Sequence, residues 1–117
     1  NTAMIFPLVS ANPQNYYDTT TGRFTPKTAG YYQVEASLFC YSGAGNWLGC
    51  AIVKNGLVNV AYGEVSAVGG NVANAKCETV IYMNGTTDYL ELFGGMASSS
   101  GYNMNNILFS AFFIGNF

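Results

Sequence analysis

The stretch Tyr31-Tyr32-Gln33-Val34-Glu35-Ala36-Ser37-Leu38-Phe39-Cys40 decides the fold class. Tyr32, Val34, Ala36, Leu38 and Cys40 fall on one face of an extended chain, and Tyr31, Gln33, Glu35 and Ser37 fall on the other. A period of two is the signature of a strand with one buried face.

Reading outward, the same class of signal recurs. Asn55-Gly56 and Asn84-Gly85 each separate β-prone runs, and Asn-Gly supplies the positive φ angles that two-residue hairpin turns require. Hairpins are therefore predicted over 48–60 and 80–92. Further turn clusters stand at Asn12-Pro13, Thr21-Gly22, Ser42 to Gly45, Gly69-Gly70 and Ser98 to Gly101. No segment has helical periodicity long enough to pack, and short strands at close spacing imply a sandwich or barrel. The run Gly94 to Asn106, rich in Gly, Ser and Asn, reads as a long loop.

The closing run Ile107-Leu108-Phe109-Ser110-Ala111-Phe112-Phe113-Ile114 is apolar on both faces, so its second face needs a cover. Composition points to a neighbouring subunit. Half of the 117 residues are hydrophobic and 9% are charged, against roughly 25% in an ordinary domain. A symmetric oligomer would hide such a surface.

The length suits a single domain, 1–117, able to bury about two-thirds of its unfolded surface. The opening Asn1-Thr2-Ala3 reads as the start of a fragment whose remainder lies upstream. Arg23, Lys27, Lys54 and Lys76 are the only cations, too few for nucleic-acid affinity. No apolar run approaches the ~20 residues that cross a bilayer as a helix. Cys40, Cys50 and Cys77 lack metal-ligand spacing and suit free thiols in a reducing compartment, with one bridge and one free thiol as the alternative.

The anchors Phe6, Asn12, Tyr17, Phe24, Gly30 and Tyr32 are separated by five, four, six, five and one residues. This spacing resembles the signature of the C1q domain family. Lys54-Asn55-Gly56 is similar to that family's mid-domain hairpin, Thr87-Asp88-Tyr89-Leu90-Glu91-Leu92 to one of its late strands, and Phe109-Ser110-Ala111-Phe112 to its closing motif. Val34 and Ala36 depart from it, standing where the family usually carries aromatics. The resemblance implies an all-β, C1q/TNF-like jelly-roll sandwich of two antiparallel sheets and about ten strands, assembled as a compact homotrimer. It assigns Tyr32, Phe109, Ala111 and Phe113 to the trimer interface. It also implies a head on an upstream fibre shaft. The wording, rich in Asn, Gly and Thr, looks most like the tip of a bacteriophage tail fibre, a virion protein that binds a host surface glycan or protein. The alternatives are a structural trimerisation cap and a secreted C1q-like ligand or lectin.

The chemistry argues for binding over catalysis. With no histidine, Ser-His-Asp and Cys-His arrangements are ruled out. Asp88 and Glu91, three apart on a strand, face opposite sides and read as structural. Asp-x-Asp clusters are absent, so no metal and no cofactor is expected, although some members of the resembled family hold calcium. Trp47, in the turn-rich stretch with Tyr41 and Asn46, offers a ring to a sugar or partner; the alternative is a core tryptophan at a strand start. Tyr102, Asn103 and Asn105 offer a ring and amides for a neutral ligand, against ordinary turn chemistry.

Overall fold

The computed structural model describes residues 2–3, 15–41, 46–67, 72–96 and 103–117. For residues 2–3, 40–41, 46, 66–67, 72–73, 96 and 103–106 it describes the backbone alone. Among these residues there are nine strands and no helix: β1 (Thr2–Ala3), β2 (Tyr17–Asp18), β3 (Arg23–Phe24), β4 (Gly30–Tyr41), β5 (Asn46–Lys54), β6 (Val58–Ala67), β7 (Val72–Met83), β8 (Leu90–Met96) and β9 (Asn103–Gly115).

They form two antiparallel sheets. The first runs β2-β3-β8-β5-β6, with β1 pairing β8 on the edge that β3 also uses; the second runs β7-β4-β9. The alternation in β4 is the organising element: Tyr32, Val34, Ala36 and Leu38 are buried, while Gln33, Glu35 and Ser37 face away. Across the interior lie Leu48, Cys50 and Ile52 of β5 and Leu90 and Leu92 of β8. Each such side chain taken from water contributes about 1.5–3 kcal/mol. One part of this core is aromatic. Phe24 meets Tyr32 at 5.9 Å and Phe109 at 6.1 Å between ring centroids.

The hairpin at Asn55-Gly56 forms as predicted, with φ of 56° and 70° and the Leu57 N–H donating to the Lys54 carbonyl. The one predicted at Asn84-Gly85 does not form. β7 and β8 lie in different sheets, and 84–89 crosses between them. The Asn84 side chain explains the turn: its Oδ1 accepts the N–H groups of Thr86, Thr87 and Asp88, so it closes a local loop instead of a two-residue hairpin.

The long loop expected over 94–106 is also shorter than its composition suggested. Gly94 to Met96 pair with β5, and Asn103 to Asn106 belong to β9 beside β4. Pairing partners on neighbouring strands override the weak strand propensity of Gly and Asn.

Candidate functional site

Strand β9 separates two environments. Ile107, Phe109 and Ala111 pair with Leu38, Ala36 and Val34 and pack against the buried core. The alternate residues Leu108, Phe112 and Ile114 are 61%, 60% and 43% exposed. The register builds rows across the outer face of the second sheet: Lys76, Ser37 and Leu108; Glu78, Glu35 and Ser110; Val80, Gln33 and Phe112. Tyr31 and Tyr82 pair in the next row, where Phe117 stacks on Tyr31 at 5.5 Å.

Within one chain, the residues assigned to the interface lie on the inward side of the second sheet. Tyr32 is 2% exposed, with its hydroxyl donating to the Thr28 carbonyl, and Phe109 and Ala111 point inward as well. Burial holds the Tyr32 hydroxyl above its ordinary pKa. Phe113, half exposed, leans its ring on Tyr32 at 5.5 Å. The uncovered apolar surface is the opposite face, carrying Leu108, Phe112 and Ile114 with Val80 and Tyr82. An open groove of about 670 Å³ lies beside it, with Glu35, Lys76, Glu78 and Ser110 in its lining. Ser110 donates to Glu35 at 3.3 Å.

The residues expected to meet a ligand gather at one end of the sandwich. Tyr41 closes β4 and pairs with Asn103, the first residue of β9; Asn46 and Trp47 open β5. Asn103 and Asn105 are thus strand residues and not loop residues, and the register skips Asn105 at a bulge. Tyr102 lies outside the described residues. Strands β4, β6 and β8 finish at this end and β5, β7 and β9 begin there.

Trp47 is neither core nor loop. It is half-buried on the outer face of the first sheet, its ring lying over Gly49, where an added Cβ would come within 2.7 Å of Trp47 Cζ3 and 3.2 Å of the Tyr62 hydroxyl. Tyr62 donates to Glu64 at 3.0 Å, and that hydrogen bond raises its pKa. Gly49 faces Gly95 on β8. Neither Gly49 nor Gly95 puts a side chain under the ring, while Glu64 and Tyr62 of β6 border it on the other side, which gives Trp47 a flat bed with a polar edge. Glycine at position 49 was the available signal in the sequence, but its meaning depended on the register.

The opposite end is held by hydrogen bonds. Asn55 donates to Asp88 Oδ1 at 2.9 Å and accepts from the Tyr89 N–H, while the Asn84 N–H donates to Asp88 Oδ2 at 3.0 Å. Lys54 lies 3.4 Å from the same carboxylate. The bond from Asn55, with those from Asn84 and Lys54, holds the Asp88 carboxyl below the usual range. Glu91 is occupied by Arg23 at 3.7 Å, and the Arg23 guanidinium also lies over the Tyr89 ring at 4.1 Å. Both carboxylates of this segment are tied into structure. Among the described residues no cluster of three or more Cys, Asp or Glu side chains could hold a metal, and no helix is long and apolar enough to cross a membrane.

A family profile described as "C1q domain" matches residues 1–114. No curated protein matches the chain at a significant level.

Proposed function

Because this chain belongs to the C1q domain family, we propose that it is a homotrimeric, non-catalytic recognition head, carried at the distal end of a bacteriophage tail fibre and binding a glycan or protein on the host surface. C1q domains typically form homotrimers and bind ligands without catalysis. The observation that carries the trimer is the outward face of β9, where Leu108, Phe112 and Ile114 stand exposed in a chain with 9% charged residues. Two further copies would cover this face. Three loop ends would then project together and raise a weak contact into avid binding.

The end that bears Trp47 supports recognition there, since a half-buried indole on a glycine bed can stack on a sugar ring or a partner side chain at little entropic cost. The Asn, Gly and Thr wording of the sequence supports a virion location at the fibre tip, joined to an upstream shaft. The first test is the solution mass by light scattering coupled to size exclusion. A mass near three times 12.5 kDa is expected, and a monomer at micromolar concentration overturns the reading.

A further inference from the structure

Cys50 and Cys77 face each other across the interior of the sandwich. Cys50 occupies the middle of β5 in the first sheet, between Gly63 of β6 and Gly94 of β8. Cys77 lies on β7 in the second sheet, opposite Ala36. Both are buried, and their Sγ atoms are 3.3 Å apart, separated by 27 positions in sequence. Because β5 and β7 belong to different sheets, no backbone ladder joins them; side-chain contacts do, among them the bond from Lys54 to the Tyr82 carbonyl.

Two features distinguish this from the packing of two small apolar groups. The sulfurs meet tip to tip, within hydrogen-bond reach, where a pair of hydrophobes would interleave. Closing the gap to the ~2.05 Å of a disulfide takes a little over ~1 Å shared between two side chains. We infer that Cys50 and Cys77 are a disulfide-forming pair, a covalent tie between the two sheets that closes on reaction with a small-molecule disulfide of the glutathione type.

The exchange balances without any other reactant. One cysteine thiolate attacks the small disulfide; that S–S bond breaks, one small thiolate leaves, and a mixed disulfide forms. The second cysteine attacks the protein sulfur of the mixed disulfide and expels the other small thiolate. Two cysteine thiols are oxidised, one disulfide is reduced to two thiols, and the two cysteine protons pass to the leaving groups. Cys50 is the better first attacker. The hydrogen bond with Cys77, together with that from the Gly63 N–H, holds its thiol below the ordinary value, whereas that shared bond and burial raise Cys77. With both sulfurs buried, exchange proceeds as the sheets close during folding or as they part transiently.

The test is oxidative refolding of the whole chain in a glutathione disulfide buffer, followed by alkylation under denaturing conditions and tryptic mass mapping. Cleavage after Lys27, Lys54 and Lys76 leaves Cys40 and Cys50 on peptide 28–54 and Cys77 on peptide 77–117. The expected product is about 2 Da lighter, joins those two peptides, and fragments to place the bond at Cys50. Its melting midpoint exceeds that of the reduced chain by on the order of 10 °C, and Cys77→Ala abolishes the difference. Cys40→Ala, which removes the third thiol, leaves the bridge intact. A bond placed at Cys40, or full alkylation of Cys50 and Cys77 after oxidative refolding, overturns the inference.

Discussion

Gly63 on β6 and Lys76 on β7 meet backbone to backbone at the seam between the two sheets, so that a Cβ on the glycine would overlap the Lys76 carbonyl. The requirement is spatial, because the φ of Gly63 is not in the left-handed region. Gly63→Ala must push the sheets apart, and is expected to cost about 2–3 kcal/mol. At roughly 4 °C per kcal/mol, the melting midpoint falls by about 10 °C; an unchanged midpoint would mean that the seam yields freely.

Asp88 joins the two turns at one end of the sandwich through Asn55 and Asn84. Asp88→Ala leaves those donors unpaired, and a loss of about 1–3 kcal/mol is expected in urea denaturation. The folded pKa lies below the unfolded value of about 3.9. The unfolded chain therefore binds the proton first, and stability is full above that pH and declines as pH falls through the lowered folded value. Asp18, whose carboxylate accepts from Thr20, acts with the same sign. Asp88→Asn should flatten the acid limb of the stability curve, as measured from pH 5 to 2.

The two faces of β9 predict opposite mutant phenotypes. Phe112→Asp, on the exposed face, should yield folded monomers in light scattering with little change in far-UV circular dichroism. Phe109→Ala, against Tyr17 and Phe24, should lower stability by about 2–4 kcal/mol without selectively splitting the assembly. Were Phe109→Ala the variant that dissociates, the inward assignment of its side chain would fail.

Trp47 is the sole tryptophan, so its emission reports on one place. Gly49→Ala should lift the indole from the sheet and shift that emission to the red, since the new methyl group falls within contact distance of the ring. Trp47→Ala should weaken adsorption to host cells at least tenfold while leaving the melting midpoint within a few degrees. Equal adsorption by variant and parent would move recognition away from this surface.

The sandwich was legible where one physical signal dominated. In β4, alternation alone separates Val34 and Leu38 from Gln33 and Glu35, and the structure keeps that division. Asn55-Gly56 was legible because two successive positive φ angles leave few alternatives. Asn84-Gly85 carries the same letters, but the asparagine side chain caps its own turn, and the destination of the next strand is set by partners distant in sequence. The faces of β9 were not legible for a related reason. Apolar residues occupy both parities, so only the pairing of Ile107 with Leu38 shows which set turns inward. That Tyr41, Asn46 and Asn103 share one end of the sandwich follows from strand order, since Tyr41 closes β4 and pairs with Asn103 while Asn46 opens β5. The bed beneath Trp47 was not legible, because it depends on which glycine faces which across β5 and β8.

The division of the sandwich into two unlike ends has an evolutionary consequence. At one end, Asn55, Asn84 and Asp88 depend on one another's atoms, so a change at any of them strands the others. At the other, β4, β6 and β8 finish and β5, β7 and β9 begin. A change at the first end must therefore be matched by a second change among these partners, and divergence there proceeds by compensated steps.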